Sequence, residues 1–253
     1  ATFVTRGYNN ELIRRLNDKA YWDDFMDKVK FNRRFDRQLR RDWLEFAGST
    51  PEDLGRFCEG KEWIMSKPLD ACCGKGIEKL RPADFESMEA LHEYLQQAGC
   101  GLVEEVVVQH PDIASIYPNA VNTIRMATIL TGDKATVVYA FIRIGNKGHV
   151  VDNLNSGGMA APLDVETGKI KYPAADKDGI VYDRHPQTDT PITGAVIPFW
   201  KEAVALCEEC AKVIPQVRYV GWDIAITEKG PVVIEGNQFP GHDILQLPVH
   251  CPD

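Results

Sequence analysis

The chain has 253 residues, 29 basic and 37 acidic, giving a net charge of −8, with 44% hydrophobic and 26% charged residues. This is the mix of an ordinary globule of one or two domains, which excludes collagen-like and disordered classes, and its acidity speaks against a nucleic-acid partner bound through phosphates. No apolar run approaches the roughly 20 residues of a membrane span, no signal-peptide pattern opens the chain, and seven irregularly spaced cysteines fit reduced thiols, so a cytoplasmic protein without a membrane span is expected.

Residues 9–46 read as helical, with Leu12, Ile13, Leu16, Tyr21, Phe25, Val29 and Phe31 recurring at helical spacing among charges. The run from Asn32 to Arg41 is strongly basic. It reads as a solvated helix face or as a surface for an anionic partner. Gly48-Ser49-Thr50-Pro51 breaks the pattern, and Ser49 or Thr50 is placed to cap a short helix entered through Pro51, Glu52 and Asp53. Glu62 to Lys67 reads as a strand. Phe85 to Ala98 reads as a helix with Leu91 and Leu95 inward, and Gly101 to Gln109 as a strand. From Asn122, NTIRMATIL and ATVVYAFIRIG flank a Thr131-Gly132-Asp133 turn and predict a hairpin. A polar loop region is expected over 146–194, then a helix at about 196–213 with Ile197, Trp200, Val204, Cys207 and Ala211 on one side. Cys207 and Cys210 form a CxxC with no second pair, so a zinc site is not expected. The chain closes on a second hairpin, YVGWDIAIT–EKG–PVVIEGN. The element order predicts an α+β architecture with a cleft between two lobes.

The terminal hairpin carries the most chemistry. With a loop of Glu228, Lys229 and Gly230, Thr227 faces Pro231 and Asp223 faces Glu235. Asn237 then shares the face of Glu235 because side chains alternate. Two opposed carboxylates repel unless a positive charge sits between them. Hard oxygen ligands suit Mg²⁺, which also takes water and phosphate oxygens. The opposing reading is an exposed, merely solvated sheet face. Upstream, Lys67 ends a strand before a loop containing Cys72, Cys73, Gly74, Lys75 and Gly76. Glycine N–H groups there could cradle phosphate oxygens. The spacing is neither a Walker loop nor GxGxxG, and a simple turn is the plainer reading. Arg125 and Arg143 interrupt apolar strands, as a phosphate or carboxylate clamp or as surface arginines.

Together these residues resemble the ATP-grasp superfamily. The resemblance rests on Lys67 with the glycine loop, the strand LVEEVVVQH, and Asp223, Glu235 and Asn237 followed by Gln-Phe-Pro-Gly. More narrowly, NDKAYW, KPLDACCGKGI, NTIR and DNLNSGG resemble the sugar-transfer-associated ATP-grasp group, related to α-L-glutamate ligases. The resemblance implies a two-lobed ATP-grasp fold with a helical N-terminal extension: a helical segment over 1–50, a small lobe over 51–110 and a large lobe with the Mg-binding hairpin over 111–253. It implies that Lys67, Cys73, Gly74, Lys75 and Gly76 meet the phosphates of ATP. Glu104, Glu105 and Val107, with the backbone between, would read adenine. Asp223, Glu235 and Asn237 would bind Mg²⁺, and Arg125, Arg143 and Asn153 would serve the γ-phosphate and the acyl phosphate. Gly157 and Gly158 would open a substrate loop. Two departures stand out. Only about 50 mostly helical residues precede the match, where many relatives carry a Rossmann-like domain. Gly221 stands where many ligases have an arginine, two residues before the metal aspartate.

The implied activity is an ATP-dependent carboxylate–amine (or carboxylate–thiol) ligase that releases ADP and phosphate. Its partners would be small-molecule carboxylates and amines, sugar-linked ones among them. The alternatives are an ATP-grasp kinase acting on a sugar-type hydroxyl, and a catalytically silent nucleotide-binding module in glycan assembly.

Overall fold

In a computed structural model, residues 3–68, 76–149 and 151–250 are described. Thr5 accepts from the Tyr8 N–H and starts helix α1 (Arg6–Leu16), which ends at Asn17. A 3₁₀ turn at Lys19–Tyr21, capped by Asp18, leads into α2 (Asp23–Met26). Asp27 caps α3 (Lys28–Leu39), which stops at Arg40 in the left-handed conformation. The helical expectation fails beyond that point, because Trp43–Glu45 is a strand, β1. Contact density divides the chain into two units, Met26–Val107 and Ala1–Phe25 with Val108–Asp253.

In the Met26–Val107 unit, Thr50 and Asp53 form a reciprocal capping box at α4 (Pro51–Cys58). Strands β2 (Ile64–Pro68) and β3 (Glu78–Leu80), helix α5 (Met88–Gln97) and strand β4 (Cys100–Glu105) follow. The four strands make an antiparallel sheet in the order β1-β4-β2-β3. Its core is Phe46, Leu54, Cys58, Ile64, Leu91, Leu95 and Val103. Leu91 and Leu95 are the inward residues expected of α5. Each fully buried aliphatic side chain contributes about 1.5–3 kcal/mol.

The second unit holds α6 (Pro111–Ala114), β5 (Ile124–Thr131), β6 (Lys134–Ile144), β7 (Met159–Pro162), β8 (Ala174–Asp176), β9 (Val181–Tyr182), α7 (Trp200–Cys210), β10 (Tyr219–Thr227) and β11 (Gly230–Asn237). The seven strands run antiparallel in the order β11-β10-β5-β6-β7-β8-β9. The expected polar loop over 146–194 thus contains three strands, each too short to show a period of two. Helix α7 starts at Trp200 rather than 196, because Phe199 sits at φ 53° and blocks continuation on its N-terminal side. It packs on β5, β6 and β11 through Trp200, Ala203, Leu206, Cys207 and Cys210. Cys207 and Cys210 are therefore packing residues, with the Cys207 thiol 3.5 Å from the Met126 sulfur. No helix among the described residues is long and apolar enough to cross a membrane.

Candidate active site

The terminal hairpin reaches the expected pairing by a different route. The loop holds two residues, not three: Thr227 pairs with Gly230, whose φ of 114° supplies the left-handed turn position. That shift alone would have put Asp223 opposite Ile234. A bulge between Asp223 and Ile224 takes up one residue on β11, so Asp223 pairs with Glu235 and Gly221 with Asn237. A bulge re-aims side chains where pairing alone would not. On its other edge Asp223 pairs with Arg125 of β5. Glu235, Asp223 and Arg125 therefore form one cross-strand row on one sheet face, with Asn237 one row along.

Asp223 is the centre of this face and is fully buried. Arg125 Nε donates to its Oδ1 and Nη2 to its Oδ2 at 3.0 Å, a bidentate fork. Arg143 Nη2 donates to the same Oδ2 at 2.6 Å. Burial alone would raise the Asp223 pKa, but the two arginines hold it well below the usual carboxylate range. Glu235 behaves oppositely. Crowding by protein atoms and the neighbouring Asp223 carboxylate push it up to about 7, and the two carboxyls share a hydrogen bond. Its side chain nevertheless keeps an open side to solvent. A proton between two carboxylates marks a position where a hard cation fits. The oxygens available there belong to Glu235 and to Asn237, whose Oδ1 accepts the Phe239 N–H at 2.8 Å. Both Asp223 oxygens already accept from guanidinium groups. Among the described residues, no three His, Cys, Asp or Glu side chains gather as a metal cluster; the oxygens free to meet a cation are those of one carboxylate, Glu235, and one amide, Asn237, with Asp223 adjoining.

Gly221 explains how Arg125 fits. A Cβ there would lie 3.1 Å from Arg125 Cδ and 3.1 Å from Pro240 Cβ. The arginine stem thus runs over the bare backbone at the position where an arginine was looked for in sequence.

Arg143 is held from behind by residues that sequence reasoning did not single out. Its Nε and Nη2 donate to Thr123 Oγ1 at 2.9 and 2.7 Å. Thr123 in turn donates its N–H and hydroxyl to Asp152 Oδ2. Asp152 lies 3.5 Å from Arg143 Nε. Asn153 Oδ1 is 3.5 Å from Arg143 Nη1, at the limit of a hydrogen bond. Thr123 and Asp152 were visible only as letters of NTIR and DNLNSGG. At Gly158, a Cβ would stand 2.5 Å from the Asp152 carbonyl oxygen and 2.9 Å from that of Asn153. These are backbone atoms and cannot give way. Gly158→Ala is expected to displace the 152–158 loop and cut turnover about tenfold or more, with the loop's own amide exchange accelerated; hydrogen exchange unchanged from the parent protein would refute this.

The other unit carries a second charge cluster. Lys67 near the end of β2 reaches Glu104 of β4, donating to Oε2. Asn32 Nδ2 and Arg41 Nη2 donate to Oε1 at 2.8 and 2.9 Å. Burial alone would raise the Glu104 pKa, but Lys67 and Arg41 bring it down to about 2. Both Glu104 oxygens are thus engaged by this cluster. Glu105 is exposed and accepts the Asp42 N–H at 3.1 Å, and Val107 lies beyond the end of β4. Gly76 is a turn residue at φ 69°, with Pro68 Cγ 3.0 Å from where a Cβ would stand. Cys73, Gly74 and Lys75 lie outside the described residues.

Residues 86–250 match the family described as sugar-transfer associated ATP-grasp. The chain belongs to this family. Solved structures carry the ATP-grasp fold independently. The ATP-grasp ligase PsnB, complexed with minimal precursor, Mg and ADP, matches at TM-score 0.51 and 16% identity over 92% of this chain and 56% of PsnB. The ADP complex of PurK, an N5-carboxyaminoimidazole ribonucleotide synthetase, matches at TM-score 0.52 and 10% identity over 95% of this chain and 53% of that one. D-alanyl-alanine synthetase A from Vibrio cholerae O1 biovar eltor matches at TM-score 0.50 and 12% identity, over 88% and 59%. The ATP-grasp chain described here spans little more than half the length of these proteins. No curated protein matches the sequence.

Proposed function

We propose that this protein is an ATP-dependent carboxylate–amine ligase working through an acyl phosphate. The observation that carries the reading is the Glu235–Asp223–Arg125 row with Arg143 beside it, on the face of the terminal hairpin. It combines an acid pair suited to a cation with two fixed guanidinium groups suited to phosphoryl oxygens. Membership of the ATP-grasp family and the ligases among its structural relatives agree with it.

Glu235 and Asn237 would hold Mg²⁺, with Asp223 adjoining. The ion, when bound, supplies charge neutralisation across the phosphates of ATP. Asp223 fixes Arg125 and Arg143 in one orientation, so they meet the charge that develops on the γ-phosphoryl group without reorganising. Thr123 and Asp152 keep Arg143 in that orientation from behind. Lys67, held by Glu104, would meet the α- and β-phosphates, and Cys73, Gly74, Lys75 and Gly76 are proposed as further phosphate contacts. This gives Glu104 a positioning role beyond the adenine contact expected of it. The substrate carboxylate attacks the γ-phosphate, and an amine then displaces phosphate from the acyl phosphate. The proposed division is a small lobe and a large lobe, with the 1–50 segment shared between the two contact units: α3 and β1 belong to Met26–Val107 and α1 to the other; the cytoplasm, where ATP is supplied, is the proposed location.

An arginine missing at Gly221 would favour the kinase alternative. Arg125 lying over that glycine removes this support. The deciding measurement is ADP and phosphate release across a panel of acids and amines. Release is expected only when an acid and an amine are both present. Release with a sugar hydroxyl alone would install the kinase, and ATP turnover unmoved by any addition would favour the silent module.

A further inference from the structure

NDKAYW, singled out in sequence, has no part in the chemistry above. Its residues fold into one wall of a recess of about 350 Å³ in the unit that carries the hairpin. Asn10, Ile13, Asp18, Lys19, Trp22 and Phe239 line it. A volume of this size is that of a small-molecule site. Trp22 and Phe239 meet edge to face, with ring centroids 4.5 Å apart.

The recess is tied to the candidate active site by hydrogen bonds. Asn17 Nδ2 donates to the carbonyls of Tyr219 and Gln238 at 2.7 and 2.8 Å, and its Oδ1 accepts the Tyr219 N–H. Asn9 Nδ2 donates to the Pro240 carbonyl at 3.2 Å. Phe239 donates its N–H to Asn237 Oδ1. One short segment thus offers Asn237 to the hairpin face and Phe239 to the recess.

The polar groups of the recess select the ligand. Arg14, also in the lining, is committed to Glu11 through two hydrogen bonds of 2.9 and 2.8 Å. The charges left are one acid, Asp18, and one base, Lys19, which lies 5.9 Å from the Trp22 ring centroid. They cancel, so nothing there favours a phosphate or polyanion. The indole N–H of Trp22 is buried without a hydrogen-bond partner among the described residues. An acid at Asp18, an ammonium at Lys19 and an amide at Asn10 beside the aromatic rings of Trp22 and Phe239 match a ligand that both gives and takes hydrogen bonds around an apolar ring face. We propose that this recess binds a neutral, hydroxyl-rich six-membered ring, a hexose unit, as the part of the acceptor substrate that the ligase holds away from its reacting group. The role as acceptor subsite rests on the ligase reading; the binding of the sugar does not.

Saturation-transfer NMR with glucose, galactose and N-acetylglucosamine tests it on the full chain, with glucose 6-phosphate and glycylglycine as comparators. At least one neutral sugar should receive saturation, and Trp22→Ala should weaken its binding at least tenfold. Trp22→Phe, which keeps a ring, should weaken it less. Asp18→Asn and Lys19→Ala, both at exposed positions, should each weaken it several-fold and serve should Trp22→Ala fail to fold. Glu235→Gln should leave sugar binding unchanged, which separates this proposal from the fate of the ligase reading. No transfer to any neutral sugar, transfer that survives in the folded Trp22, Asp18 and Lys19 variants, or a preference for the phosphorylated sugar or the dipeptide would overturn it.

Discussion

Glu235→Gln is expected to remove Mg²⁺-dependent ATP turnover, by about two to three orders of magnitude or more, while the melting temperature stays within a degree or two. The reason lies in the hydrogen bond that Glu235 shares with Asp223. A glutamine amide donates to Asp223 as a protonated glutamic acid does, so the fold loses nothing, but the amide cannot become an anion. The same residue sets a pH dependence. With Glu235 at about 7, a cation must displace a proton at lower pH. Apparent Mg²⁺ affinity should therefore fall about tenfold per pH unit below 7 and level off above it. Calorimetric titration of Mg²⁺ with an ATP analogue from pH 6 to 8 reads this directly, and the slope should vanish in Glu235→Gln. The stability effect has the opposite sign to that of an ordinary ion-paired acid. A carboxyl raised above its unfolded value contributes stability that is present at acid pH and lost as pH rises through about 7. The metal-free protein should thus melt lower at pH 8 than at pH 6, with Mg²⁺ and nucleotide restoring it. A flat affinity profile, or full turnover in Glu235→Gln, sinks the metal assignment.

The row at the hairpin was legible in sequence for a reason that is partly fortunate. Side-chain alternation put Asp223, Glu235 and Asn237 on one face, and the proposed three-residue loop set Asp223 against Glu235. The loop actually holds two residues, and a bulge compensates. Period-two patterning reports which face a residue occupies, but a bulge leaves no mark in a run such as Pro231-Val232-Val233-Ile234, where every residue is apolar. Arg125 and Arg143 were conspicuous as charges in apolar strands. Their common partner was not readable, because pairing β10 with β5 joins residues 98 positions apart. Strong local signals, such as the Thr50 cap and the inward leucines of α5, survived intact.

The failures have equally local causes. Strand β1 was lost inside a helical reading because Trp43 and Leu44 continue an apolar spacing that three residues cannot interrupt. Glu104, inside the strand GLVEEVVVQ, was expected only to read adenine, and its own partners were not foreseen. It is 3% exposed, and what keeps it charged there is Asn32 and Arg41, drawn from a basic run whose plainer reading was a solvated helix face. Burying an anion requires cations from elsewhere in the chain, and a one-dimensional pattern does not say which.

Asp223→Ala should destabilise the protein by about 3–5 kcal/mol, the range for removing one partner of a buried charge set. It strips the shared acceptor from two guanidinium groups that the surrounding strands hold in place, leaving Arg143 with Thr123, Asp152 and the long contact to Asn153. Denaturant titration measures the loss. A loss below about 1 kcal/mol would mean that the arginines reach solvent and that Asp223 does not organise the face. The acid limb follows from the lowered Asp223 pKa: its stabilisation is present above the ordinary carboxylate value and is lost as pH falls toward the folded-state one. Asp223→Ala should remove that part of the acid sensitivity. A triple replacement of Asp223, Arg125 and Arg143 by apolar residues should recover most of the stability, since packed hydrophobic side chains commonly equal a buried ion set, yet it should have no turnover. Stability alone therefore gives no reason for two arginines and an aspartate at the centre of a β-sheet face. The reason consistent with both variants is that a charge held rigid and out of water acts more strongly on a phosphoryl group than one that must first reorganise.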